Sequence, residues 1–198
     1  MTARNHVGMR TLTPAQILSL FRQHGDLAYA DEGVTQAQHG WQCAQLALRA
    51  GATPALQLAA WLHDLGHLMT GLTGSPTTQG INDRHEAIAA DALAPLFGPD
   101  VAEPVALHVL AKRHLVTTRP SYLASLSPDS VRSLALQGGP MQHEEARAFS
   151  AHPRAWDALR LRAWDDVGKD PHWQARSDEE ALQALSTLMD QVLNAQRS

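Results

Sequence analysis

Residues 59 to 71 read AAWLHDLGHLMTG, an apolar helix-like run interrupted by His63, Asp64 and, one helical turn on, His67. Imidazole nitrogens and carboxylate oxygens are ligands for iron, manganese, zinc or cobalt. A carboxylate inside an apolar run is costly unless a positive group meets it, and a metal ion is such a group. Further donors lie in other segments: His39 beside Trp41, His85 in DRHE, His108 in VALHVLAKRH and Asp165 in LRAWDDVGK. Four histidines and two aspartates are more than one small ion needs once a position is left open for substrate. Asp64, with two oxygens beside a histidine, could bridge two ions. Thiolates are absent from the set, which argues against a structural zinc site. The other histidines read differently. His6, His24, His143, His152 and His172 fit surface or hydrogen-bonded roles, and His114 sits in the cationic KRH run, where a solvated face is an equal reading.

These donors need rigid elements, and the chain offers helices almost throughout. LTPAQILSLFRQHGD has Thr13 as N-cap, Pro14 at the first helical position and Gly25 at the stop. Thr35 opens a second helix that ends at Gly51, and Thr53 with Pro54 opens a third running through AAWLHDLGHLM. More helices are expected over about 84–97, 101–113, 128–137, 142–150, 153–168 and 178–195. No segment alternates with the period of a strand, so the expectation is an all-α, compact helical bundle forming a single domain over 1–198. The Gly, Ser and Thr-rich stretch at 70–83 follows directly on the His63-Asp64-His67 turn, a position suited to a loop that closes over a ligand.

Composition narrows the function classes. A chain of 198 residues with 44% hydrophobic content can bury a sizeable core. Its net charge of -4 gives no electrostatic reason to expect nucleic acid. No apolar run approaches the roughly 18 residues of a membrane span, so no membrane partner is expected. MTARNHVGMRTLTP lacks the apolar centre of a secretory signal, and the single cysteine, Cys43, fits a reducing cytoplasm. Small helical enzymes often pair through an apolar face, so a homodimer stands as an open expectation.

The ordered set His39, His63-Asp64, His85, His108 and Asp165 resembles the HD-domain superfamily of all-α metal-dependent proteins. Further segments, YADEGVTQAQH, WLHDLGHL, DRHE, PVALHVLAKRHL, SLSPDSVRSLALQGGPM and LRAWDDVGK, are similar to the mixed-valence di-iron oxygenase branch. Within it they resemble the glycine-forming 2-amino-1-hydroxyethylphosphonate dioxygenase group, with myo-inositol oxygenase more distant. The resemblance spans about residues 15–170. It implies two iron ions. One would be held by His39, His63, Asp64 and Asp165, with Asp64 bridging to a second held by His85 and His108. The family pattern puts the ligand directly after the aromatic Trp164, which selects Asp165 over Asp166. Tyr29 and Glu32 match a pair that guards an open iron position and receives the substrate's amino end. Lys112 and His67 match phosphonate-holding residues, and Ser130 and Arg162 occupy positions that add to that anion site. The implied reaction breaks the carbon–phosphorus bond of a 1-hydroxy-2-aminoethylphosphonate or its trimethylammonium analogue with O2, giving an amino acid or betaine plus phosphate.

Helical spacing agrees with the anion site, although without the family an ordinary solvated helix face is the favoured reading of Lys112 and Arg162. Lys112 lies four residues after His108, and His67 four after His63, while Arg162, Asp165 and Lys169 stand at i, i+3 and i+7, one face of one helix. Two other classes use the same residues. A phosphohydrolase of nucleotides or phosphomonoesters would use a metal-activated water in place of O2. A non-catalytic binding protein would keep the metal as structural support.

Overall fold

The computed structural model describes residues 12–30, 32–71 and 76–197. His6 and residues 72–75 of the expected 70–83 loop lie outside the described residues. The described chain is all α. The helices are α1 (Pro14–His24), α2 (Gln36–Arg49), α3 (Pro54–Leu62), α4 (Leu65–Thr70), α5 (His85–Phe97), α6 (Pro99–Thr118), α7 (Tyr122–Ser125), α8 (Pro128–Leu136), α9 (His143–Ser150), α10 (Ala155–Val167) and α11 (Asp178–Ala195). One 3-10 turn, Pro76–Gln79, precedes α5, and an isolated bridge joins Ala28 to Thr35.

Local chemistry starts these helices where the sequence expects. Thr13 and Gln16 form a reciprocal capping box at α1, and the hydroxyls of Thr35 and Thr53 accept from Gln38 and Leu56 backbone N–H groups. Each cap satisfies a donor that a helix end leaves unpaired, worth about 1 kcal/mol. Ser127 and Ser177 do the same for α8 and α11. α3 stands at the centre, packed on α2, α6, α10 and α11, while α5 lies along α6 and α4 along α5. Leu58, Leu62, Leu93, Leu161 and Leu185 are completely buried in one core cluster drawn from α1 to α11. Removing each from water contributes about 2 kcal/mol. A smaller cluster of Ala111, Met141, Phe149, Ala155 and Ala158 sits under α6, α9 and α10.

Three expectations are corrected. The third helix does not run unbroken through Met69; it stops at Leu62, and α4 begins at Leu65. Adjacent helical side chains diverge by about 100°, so an unbroken helix could not aim both His63 and Asp64 at one point. The break at Asp64 (φ -100°, ψ 10°) lets both side chains face inward. The second correction concerns Lys169. α10 ends at Val167 with Gly168 as its cap, so Lys169 leaves the face of Arg162 and Asp165. The helix expected over 101–113 is also longer, Pro99–Thr118, because Leu115 continues its buried face.

Candidate metal centre and substrate cavity

Six polar side chains from α2, α10, the α3–α4 junction, the start of α5 and the middle of α6 converge in the interior. They are His39, His63, Asp64, His85, His108 and Asp165, all buried. The four histidines share one arrangement. In each, Nδ1 bonds to a fixed acceptor: Gly168 O at 2.8 Å for His39, Ala60 O at 2.9 Å for His63 and Val105 O at 2.8 Å for His108. For His85 the acceptor is Asp83 Oδ1 at 3.0 Å. Nδ1 is therefore taken up as a donor, and Nε2 is the nitrogen turned to the interior, where a proton or a metal ion can sit on it.

The Nε2 atoms meet in pairs, His39 with His63 at 3.3 Å and His85 with His108 at 3.2 Å. Two lone pairs facing each other at that distance repel unless a proton or a metal ion lies between them. Two nitrogens each about 2.1 Å from one ion stand about 3.0 to 3.4 Å apart at right-angled to tetrahedral geometry, so the spacing fits. Asp64 joins the pairs. Its Oδ2 lies 3.3 Å from His63 Nε2 and 3.7 Å from His39 Nε2, while its Oδ1 lies 3.3 Å from His85 Nε2 and 3.8 Å from His108 Nε2. Asp165 Oδ1 completes the first group at 3.5 Å from His39 Nε2 and 3.8 Å from His63 Nε2.

The electrostatics ask for cations. Burial opposes a charge on His63, yet the Asp64 and Asp165 carboxylates outweigh it and push its pKa up to about 10. Against the same burial, the neighbouring imidazoles, His63 first, hold Asp64 well below the usual carboxylate range. Burial, reinforced by the charges of His63 and His85, keeps His108 neutral. Cys43 Sγ lies 3.8 Å from His39 Nε2, but burial and then Asp165 raise its pKa, so it remains a thiol whose S–H donates to Trp164 O.

Precise backbone placement supports this cluster. Arg84 adopts a left-handed conformation (φ 53°) at the start of α5, costly for a residue with a Cβ. It allows Asp83 to bond both His85 and, through Oδ2 at 2.6 Å, His67 Nδ1. Gly66 lets α4 touch α5: a Cβ there would lie 2.1 Å from His85 O.

One side of the cluster opens into a cavity of about 420 Å³, onto which Asp64, His85, His108 and Asp165 face. Of the other predicted residues, Tyr29, His67, Lys112, Ser130 and Arg162 line it. Lys112 is buried and donates from Nζ to Ser133 Oγ at 2.6 Å; burial, then the Arg162 charge, lowers its pKa to about 7. His67 stacks on His85 at 4.0 Å between ring centres. Tyr29 stacks on His39 at 3.9 Å and donates from its hydroxyl to Asp165 Oδ1 at 3.4 Å. Burial, then Asp165, raises the phenol's pKa and keeps it a donor. Arg162 bonds Asp165 Oδ2 at 2.6 Å, Tyr122 Oη at 3.0 Å and Asp166. Asp166 is taken up by Arg162 and Tyr122, whereas Asp165 turns Oδ1, the oxygen that Arg162 leaves, to the imidazoles and Tyr29. Glu32 is the predicted residue that the structure does not bring onto the cavity wall; it pairs with Lys169 at 3.5 Å.

Comparison with known proteins decides the family. Over 154 residues the chain is 41% identical to hydroxymethylphosphonate dioxygenase of Gimesia maris, covering 77% of this chain and 76% of that one. Over 151 residues it is 38% identical to the glycine-betaine-forming 1-hydroxy-2-(trimethylamino)ethylphosphonate dioxygenase of Leisingera caerulea, covering 76% of each. The chain belongs to the phosphonate dioxygenase family. It is likewise 38% identical over 156 residues to an uncharacterized protein, L432, of Acanthamoeba polyphaga mimivirus. No family model matches. As a phosphonate dioxygenase the chain is an oxygenase, and its cluster of histidines and aspartates is the donor set of a metal-using one.

Sequence reasoning missed Asp83, Ser133, Gly66 and Gln42 of this dioxygenase. Asp83 and Ser133 had a signal: Asp83 precedes His85 by two residues, and Ser133 stands one helical turn after Ser130. Gly66 and Gln42 act on backbone atoms of distant segments, which no local pattern announces.

Proposed function

We propose that the chain binds two iron ions and uses O2 to cleave the carbon–phosphorus bond of a small 1-hydroxyphosphonate, of the 1-hydroxy-2-(trimethylamino)ethylphosphonate type. The products are a carboxylic acid, here an amino acid or betaine, and phosphate. The observation that carries the reading is Asp64, whose two oxygens face two separate imidazole pairs. His39, His63, Asp64 and Asp165 hold one iron, and Asp64 with His85 and His108 holds the other. The two named relatives act on substrates that share a phosphonate and a C1 hydroxyl, the half of the molecule that the cavity's donors suit.

When bound, the irons supply the electrons that activate O2. The chain's residues do the rest. Lys112 Nζ, the Ser130 hydroxyl and His67 hold the phosphonate oxygens, because a dianion leaving water needs charged and neutral donors in its place. Arg162 adds positive charge to that wall and fixes Asp165 through its own hydrogen bond. Tyr29, lying flat on His39, keeps water from that side of the centre until substrate arrives. Glu32 receives the substrate's amino end. The stoichiometry balances: one oxygen atom ends in the carboxylate and one in phosphate, with the C1–H and C–P bonds broken.

The test is anaerobic reconstitution with ferrous iron, followed by addition of O2 and either hydroxymethylphosphonate or 1-hydroxy-2-(trimethylamino)ethylphosphonate. Oxygen uptake and phosphate release in equal amounts are expected. Phosphate released from phosphomonoesters with manganese and no oxygen consumption would establish a hydrolase instead.

A further inference from the structure

The segment after α10 packs against the Nδ1 side of His39, behind the first imidazole pair. Gly168 O accepts from His39 Nδ1. The buried amide of Gln42 then pins the next turn, donating to Asp170 O and Trp173 O at 2.7 and 2.6 Å and accepting from Asp170 N–H at 3.0 Å. Lys169 lies between these anchors, so its Cα is fixed and only its side chain can move. Its Nζ stands 3.5 Å from Glu32 Oε1 and 5.5 Å from the centre of the Tyr29 ring. Both side chains of the pair are largely buried, with 13% and 17% exposure.

A carboxylate beside an aromatic face is the combination that holds an alkylammonium ion. Here the protein's own ammonium fills it. The pair reaches the cavity only through Tyr29, and the cavity wall itself offers no such place among the described residues. Tyr29 is the only Phe, Tyr or Trp on it, and its other carboxylates are engaged. Asp64, Asp83 and Asp165 face imidazoles, and Asp129 pairs with Arg132.

We propose that Lys169 is a specificity-determining residue: it occupies the ammonium place between Glu32 and Tyr29, and a cationic hydroxyphosphonate must displace it. The chain therefore favours hydroxyphosphonates without a cationic substituent more than it would with a neutral residue at 169. This deepens the proposed function and rests on its placing of the substrate's amino end at Glu32.

The experiment compares the wild type with Lys169→Gln and Lys169→Arg. Dissociation constants for hydroxymethylphosphonate and 1-hydroxy-2-(trimethylamino)ethylphosphonate are measured by calorimetry on zinc-loaded protein, where no turnover occurs. Metal content and melting temperature are checked for each variant. Lys169→Gln is expected to shift the affinity ratio about tenfold toward the trimethylamino ligand, as removing one partly buried competing charge allows. Lys169→Arg is expected to keep the wild-type ratio. An unchanged ratio in Lys169→Gln, an equal loss for both ligands, or no binding of either by the wild type would overturn the proposal. Oxygen uptake by the iron-loaded wild type is read separately: if it fails while the affinity ratio shifts, the oxygenase reading falls and the role of Lys169 stands.

Discussion

Replacing Lys112 with methionine should make the metal-free protein more stable while abolishing its response to oxyanions. Lys112 is 3% exposed, and burial with the nearby Arg162 charge lowers its pKa from 10.5 to about 7. Each tenfold change in protonation is worth about 1.4 kcal/mol, so below pH 7 the folded state carries about 5 kcal/mol of unfavourable interaction with that charge. The side chain can turn toward the open cavity and its water. Taking about half of the penalty as realised leaves a gain of about 2 to 3 kcal/mol for Lys112→Met at pH 6. In a chain of this size that is about 5 to 10 °C in melting temperature. Ser133 is not stranded by the change, because its hydroxyl also donates to Ser130 O at 3.1 Å.

The sign with pH is fixed. The folded-state pKa is the lower one, so between pH 7 and 10.5 the unfolded chain binds more protons, and wild-type stability rises with pH across that window. The variant lacks this contribution. Its advantage is therefore full below pH 7 and shrinks steadily above it. Titrations of His63 and the other shared groups cancel in the difference. Calorimetric melting of chelator-treated protein at pH 6.0 and 8.5 measures both points. Millimolar phosphate should raise the wild-type melting temperature, since the anion restores a partner for the ammonium, and should leave the variant unmoved. A variant no more stable than wild type at pH 6, or an advantage that grows with pH, refutes the reasoning.

Asp64→Asn removes the charge that joins the two imidazole pairs, and metal content by mass spectrometry should fall from the proposed two ions per chain to one or fewer. Asp83→Ala leaves Nδ1 of both His67 and His85 without its acceptor, so chelator competition should report a roughly 10- to 100-fold weaker site. Gly66→Ala sets a Cβ 2.1 Å from His85 O, a clash with backbone that no rotamer relieves. Denaturant unfolding should show a loss of about 3 kcal/mol or more, with disturbed metal binding.

The candidate donors are legible in the sequence because each would be penalised without a partner. A carboxylate beside a histidine in AAWLHDLGHLM demands a positive group, and that demand is local and visible. The helix starts are legible for a similar reason, since Thr13, Thr35 and Thr53 cap the helices that follow them. What sets the angles is not. His39, His63 and His108 are oriented by the carbonyls of Gly168, Ala60 and Val105, and a carbonyl is present at every position of every chain. The break between α3 and α4 is hidden likewise, because the apolar period continues across it. Only the need to aim two neighbouring side chains at one point interrupts the helix. Lys169 combines both difficulties: Gly168 ends the helix that would have carried it, and its partner Glu32 is 137 positions away in the chain. The types of the reacting groups can thus be read from composition and spacing. Their competition for one another, on which the proposed substrate selection at Glu32 turns, emerges only when distant segments are folded together.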